Sequence, residues 1–146
     1  MARLARTVTV RVITMTISEA GALSGLTAST LRFYERERLF FAPVRRDAAG
    51  RRVFTQDEVD WLRVCTRLRS SGMPLPEIRH YAELVEAGSG NEEERMAILT
   101  QHEQLVQRQI EDLHEALSVI QHKVEVYSRA MAEDRADTIW TAGPEC

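Results

Sequence analysis

Over residues 91–133 the apolar side chains of this chain recur in sevens, and that pattern restricts the folds open to it. One row is Leu99, Val106, Leu113, Ile120 and Tyr127; the other is Met96, Ile110, Leu117, Val124 and Met131, interrupted once by Glu103. Rows spaced this way are the d and a positions of a coiled coil, sustained here for about five heptads. The helix has its own start signal in Asn91, a capping side chain, followed by Glu92, Glu93 and Glu94 at the positive end of the helix dipole. A lone helix cannot hide such a stripe from water. A homodimer through Leu99, Val106, Ile110, Leu113, Leu117, Ile120, Val124 and Tyr127 can, and packing of part of the stripe onto residues 75–85 is the competing explanation.

Upstream, short helices alternate with tight turns. Thr16-Ile17-Ser18-Glu19 reads as a capping box opening a helix with Ile17, Ala20 and Leu23 on its apolar face, ended by Ser24-Gly25. Thr27 is a natural N-cap for a second helix reaching about Glu37, and two short helices across a glycine-containing turn make a helix-turn-helix. Between Leu39 and Phe54 helical periodicity vanishes. Pro43, Asp47 and Gly50 punctuate that segment, which predicts a basic β-hairpin pairing residues 41–45 with residues 51–54 around Asp47-Ala48-Ala49-Gly50. Thr55-Gln56-Asp57-Glu58 is a second capping box, opening a helix with Val59, Leu62, Val64 and Leu68 that ends at Ser71-Gly72. Pro74 and Pro76 fit only a first turn, so Leu75, Ile78, Tyr81, Ala82 and Val85 form a fourth helix stopped by Gly88-Ser89-Gly90. The expected fold is all-α with a small β-hairpin wing. Residues 15–87 are a winged helix-turn-helix domain, 91–132 a dimerisation helix, 1–14 a disordered or strand-like extension and 133–146 a tail.

The net charge of −3 conceals an asymmetry, because residues 1–79 carry a net +6 and residues 80–146 a net −9. A basic half that faces a polyanion is joined to an acidic half with another task. Cys65 and Cys146 are too few for a disulfide framework, and neither a secretory leader nor a membrane span is apparent. A cytoplasmic protein with no membrane partner is expected. No metal triad, nucleophile elbow or phosphate loop is present, so no metal, no cofactor and no enzymatic activity are expected. His102, His114 and His122 are scattered along the long helix and read as solvated.

Taken in order, the motifs resemble those of the MerR family of bacterial transcription regulators. They are Thr16-Ile17-Ser18-Glu19-Ala20, the run from Thr27 to Glu35, Gly50-Arg51-Arg52-Val53-Phe54, and Gly72-Met73-Pro74-Leu75-Pro76-Glu77-Ile78. Gly72-Met73-Pro74, Glu93-Glu94-Arg95 and the end of the long helix near Tyr127 are similar to the branch without a separate ligand domain, which includes aldehyde-responsive regulators. The resemblance implies that the second helix enters the major groove, with Thr27, Ser29, Thr30 and Arg32 placed to touch bases or phosphates. It carries both Phe33 and Tyr34 as DNA-binding candidates, with Phe33 on the DNA side and Tyr34 toward the core or a hinge, and it places Arg45, Arg46, Arg51 and Arg52 on the wing. It further implies a dimer joined by an antiparallel coiled coil, a palindromic promoter site, RNA polymerase as partner, and activation through DNA distortion.

There are departures from the family pattern. Arg38 stands where the family usually has glycine, residues 39–43 look about one residue longer than usual, and Phe33 replaces a common tyrosine. Metal-sensing members need thiolates at both ends of the long helix, and the only cysteine beyond residue 65 is Cys146. Cys65 is a candidate electrophile or redox sensor. However, the cysteine of aldehyde-responsive relatives falls two residues later, at Arg67 here, and two residues turn a helical side chain by about 200°. The alternative for Cys65 is a small core residue. The alternative for the whole chain is a coiled-coil adaptor that does not bind DNA.

Overall fold

The computed structural model describes residues 12–133, so most of the expected extension and tail, with Cys146, lies outside the described residues. The elements are β1 (Met15–Thr16), α1 (Ile17–Ser24), α2 (Ala28–Arg36), β2 (Arg45–Arg46), β3 (Arg52–Phe54), α3 (Gln56–Ser70), α4 (Leu75–Ala87) and α5 (Glu92–Ala132). They fall into two compact units, Met1–Leu99 and Thr100–Cys146.

Both capping boxes form. Thr16 Oγ1 accepts from the Glu19 amide at 3.3 Å while the Glu19 carboxylate accepts from the Thr16 amide at 2.7 Å. Those hydrogen bonds hold the Glu19 carboxyl below its ordinary range. Thr55 and Glu58 repeat the arrangement at the start of α3, which lets the Glu58 side chain be buried without losing its partners. The turn between α1 and α2 needs two glycines for different reasons. Gly25 closes α1 at φ 75°, and a Cβ on Gly21 would lie 2.7 Å from the Leu26 carbonyl oxygen.

The strands form an antiparallel sheet in the order β1-β3-β2, with Met15 opposite Phe54, Arg45 opposite Val53 and Arg46 opposite Arg52. The hairpin is shorter than residues 41–45 and 51–54 suggest. Phe40 is buried, and Phe41 packs edge-on against Trp61 with ring centroids 5.9 Å apart, so burial of aromatic surface displaces the ladder before Arg45. β1 is an addition that two residues of alternation could not announce.

The core of the first unit gathers Leu31, Leu39, Phe54, Val59, Leu62, Cys65 and Ile78, all fully buried. Burial of each large apolar side chain contributes roughly 1.5–3 kcal/mol. Two apolar assignments are corrected. On α3 the inward face is Val59, Leu62 and Cys65, which leaves Val64, about 200° round from Leu62, exposed. On α1 the small Ala20 and Gly21 make the contact and Leu23 stays exposed beyond them.

Arg38, in the connector after α2, has φ 56°, the left-handed region that costs an L side chain roughly 1–2 kcal/mol. Arg38→Gly is therefore expected to raise the stability of the protein by up to about 1 kcal/mol, offset in part by the freer unfolded chain. Thermal unfolding of the two proteins side by side measures the difference.

In the second unit, α5 runs on as one uninterrupted helix whose heptad residues face solvent: Leu113 is 68% exposed, and Ile110, Leu117, Ile120, Val124 and Tyr127 are likewise open. His114 and His122 are exposed as expected, whereas His102 is buried.

Candidate nucleic-acid interface

Helix α2 is amphipathic in the sense a groove-reading helix requires. Leu31 and Tyr34 are buried, while Ser29, Arg32 and Arg36 follow one another on the exposed side. Thr27 caps the helix by accepting from the Thr30 amide at 3.1 Å, and the two threonine hydroxyls are 2.9 Å apart, so both are partly spent on holding the first turn. Ser29 and Arg32 have no such engagement among the described residues, and with Arg36 they are exposed donors of the helix. Tyr34 is 3% exposed and belongs to the core, which corrects its place among the DNA-binding candidates and agrees with its leaning toward the core or a hinge. Phe33 is half-buried, with the guanidinium carbons of Arg69 and Arg36 at 5.0 and 5.9 Å from its ring centroid.

The wing arginines divide by how firmly they are held. Arg46 pairs with Glu35 at 3.3 Å, Arg52 pairs with the other oxygen of the same carboxylate, and Glu35 thereby joins α2 to both wing strands. Arg51 is tied to Asp47 at 2.9 Å, across a turn in which the Asp47 carboxylate also accepts from the amides of Ala49 and Arg51. The Arg51 amide foremost, with its guanidinium, holds the Asp47 carboxyl below the ordinary aspartate range. Arg45 is exposed and makes no ion pair among the described residues. A cleft of about 220 Å³ brings Arg32 of α2 together with Arg46, Arg51 and Arg52 of the wing, beside the start of α1. Four arginines lining one surface cleft, with Arg32 making no ion pair among the described residues, suit a phosphate backbone.

Supporting contacts anchor this surface to the core. The Trp61 indole N–H donates to the Leu39 carbonyl at 2.6 Å, and Trp61 stacks on Tyr81 with centroids 5.6 Å apart and planes 9° from parallel. Arg79 of α4 donates to the Glu37 carbonyl and carboxylate at 2.7 and 2.9 Å, and Arg63 of α3 donates to the Leu23 carbonyl at 2.7 Å. Glu35, the residue that organises the wing, was not singled out by sequence reasoning. Its signal was a lone carboxylate within an otherwise basic helix.

Residues 15–84 match the model of the MerR HTH family regulatory protein, and residues 59–123 match that of the MerR DNA-binding family. An uncharacterised HTH-type transcriptional regulator of Haemophilus influenzae is 34% identical over 120 residues, spanning 82% of this chain and 88% of that protein. The chain belongs to the MerR family of helix-turn-helix regulators. The regulator AdhR of Bacillus subtilis is 32% identical over 90 residues, 62% of this chain and 64% of its own. Among solved structures, HiNmlR, a MerR family regulator lacking the sensor domain and bound to promoter DNA, superposes with a TM-score of 0.76. It is 32% identical and covers 87% of this chain and 96% of its own.

The MerR-type fold leaves Cys65 poorly suited to sensing. It is 1% exposed, its Sγ lies 3.7 Å from the Leu39 carbonyl oxygen, and burial pushes the thiol up to about 12, against a smaller opposing pull from Arg69. Arg63, two residues before Cys65, spends its guanidinium on the Leu23 carbonyl and the Asp60 carboxylate. Because the thiolate is the reactive form, iodoacetamide is expected to leave Cys65 of the folded protein unmodified at neutral pH and to label it once denaturant is added. Labelling of native Cys65 at the rate of a free thiol, read by peptide mass spectrometry, would restore the sensor assignment.

Proposed function

We propose that the chain is a homodimeric transcription regulator that binds a palindromic promoter site in double-stranded DNA and acts on RNA polymerase by distorting that DNA. The observation that carries this reading is Arg32 of α2 facing Arg46, Arg51 and Arg52 of the wing across one cleft. Phosphate contacts from these groups position the domain, while Ser29 and Arg32, early on α2, are the side chains placed for base edges. Residues 15–87 serve as the DNA-binding domain and residues 91–132 as the dimerisation helix. The promoter DNA bound by a structural relative supports the choice of polyanion. The competing reading, a coiled-coil adaptor, leaves the cluster of guanidiniums without a purpose.

An antiparallel coiled coil holds two readers at a fixed separation, so the DNA between half-sites bends or twists to reach both. Deforming a site of this size costs on the order of 1–6 kcal/mol, within reach of an effector's differential binding. Relatives of the chain are transcription regulators, and we read it as non-enzymatic. Among the described residues no helix is long and apolar enough to cross a membrane, which is compatible with a cytoplasmic DNA partner.

Fluorescence anisotropy with the DNA upstream of the chain's own coding sequence, against a scrambled duplex, tests the reading. Preferential, salt-sensitive binding is expected, and equal binding of both duplexes overturns the specific-regulator assignment. Deleting about one or two base pairs of the promoter spacer is expected to activate transcription without the protein. A binding site well outside the promoter core would replace distortion by simple occlusion.

A further inference from the structure

The connector that leads from α2 to β2 encloses, against α4, a cleft of about 450 Å³, within the range of small-molecule sites. From the connector it is lined by Phe40, Ala42, Pro43 and Val44, a largely apolar strip, together with Arg38. Glu83 and Glu86, one helical turn apart on α4, also line it, as does Glu35 of α2. The charges do not cancel. Glu35 is already matched by Arg46 and Arg52. Glu83 and Glu86 are exposed and make no side-chain hydrogen bond or ion pair among the described residues, and Arg38 is one guanidinium set against those two carboxylates.

We propose that this cleft binds a small organic monocation, an amine on a compact apolar body, and that its occupancy is transmitted to the wing. The apolar strip removes the body from water, and the carboxylate pair, one charge in excess of Arg38, selects the ammonium over a neutral or anionic group of the same shape. Transmission follows from the chain path. The connector that forms one wall runs directly into Arg45 and Arg46, and Glu35 lines the cleft while holding both Arg46 and Arg52. A ligand that fixes the connector therefore biases where the wing arginines stand. By linkage, DNA and ligand change one another's affinity by the same factor. Transmission rests on the DNA-binding function proposed above; occupancy of the cleft does not.

The test is calorimetric titration of the full-length protein, without DNA, using phenethylamine, 2-phenylethanol and phenylacetate. These share one aromatic body and differ in charge at neutral pH, so the comparison needs no variant. Phenethylamine is expected to bind saturably and at least about tenfold more tightly than the other two. Glu83→Gln with Glu86→Gln is expected to bring it down to the level of the alcohol while helical circular dichroism is unchanged, since glutamine is as good a helix former as glutamate. Equal binding of the three probes, an ammonium preference that survives the double substitution, or no saturable binding in the millimolar range each overturns the site. A loss of probe binding as protein concentration rises also overturns it, by showing that a second copy of the chain fills the cleft. Anisotropy with duplex DNA then reads the transmission. Phenethylamine is expected to shift the DNA affinity of the native protein and leave that of the double variant unmoved. An unshifted native protein overturns transmission alone, whereas a native protein that binds no DNA overturns the proposed function and leaves the cleft standing.

Discussion

Ile110→Asp combined with Leu117→Asp is expected to reduce the protein to a single chain in light scattering at micromolar concentration. Both side chains belong to the exposed stripe of α5, at 42% and 48% exposure among the described residues. In a dimer they lie at the seam. Each aspartate there is a charge moved out of water without a partner, at a cost of several kcal/mol, and symmetry doubles the number. Since about 1.4 kcal/mol is tenfold in an equilibrium constant, the dimer dissociation constant is expected to rise by at least three orders of magnitude. The first unit has its own core and should keep its near-ultraviolet spectrum, so that loss of the dimer is distinguished from unfolding. A variant that remained dimeric would remove the coiled coil from the account.

Arg32→Ala with Arg45→Ala is expected to produce the second large effect, a loss of about 100-fold in affinity for the promoter site. Arg32 is the exposed cation of α2 that lines the basic cleft, and Arg45 is the wing arginine with no intramolecular ion pair among the described residues. A lost base contact costs roughly 1–3 kcal/mol and a lost phosphate contact lowers the salt slope by about 0.9. Arg45→Ala alone should therefore weaken every duplex alike and flatten the salt dependence by about one unit. Arg32→Ala should in addition narrow the gap between promoter and scrambled DNA. Arg52 behaves differently because its guanidinium is committed to Glu35. Arg52→Ala and Glu35→Gln are expected to be strongly non-additive, each undoing the same brace. Additive losses would mean that Arg52 reaches DNA independently.

Element starts were legible in the sequence wherever a local hydrogen-bonding motif fixed them. Thr16-Glu19, Thr27-Thr30 and Thr55-Glu58 each cap a helix at the expected residue, because a cap is decided within four residues. The length of α5 was legible for a different reason, since a pattern repeated over many turns averages out single exceptions such as Glu103. Long-range choices were not. Whether Phe41 would pair in a ladder or pack on Trp61, and whether Leu23 or Gly21 would face α2, depend on what lies opposite, and no periodicity encodes that. The site was half legible. The arginines stood out by composition, but which of them are held depends on Asp47 for Arg51 and, for Arg46 and Arg52, on Glu35, whose partners are 11 and 17 residues away. Cys65 was left open between core and sensor, and the depth of the core under α3 decides for the former.

The bond from the Trp61 indole to the Leu39 carbonyl gives the protein an optical reporter of its own. Trp61 is stacked on Tyr81 of α4 and tied to the connector one residue past Arg38, so its emission depends on both walls between which the ligand cleft lies. A shift of the connector lengthens that hydrogen bond and admits water to the indole edge, which moves the emission to longer wavelength. With Trp140 replaced by phenylalanine, the remaining signal comes from this one ring. Stopped-flow fluorescence can then time the connector against DNA binding without a dye, and establish whether the wing moves before or after the duplex arrives.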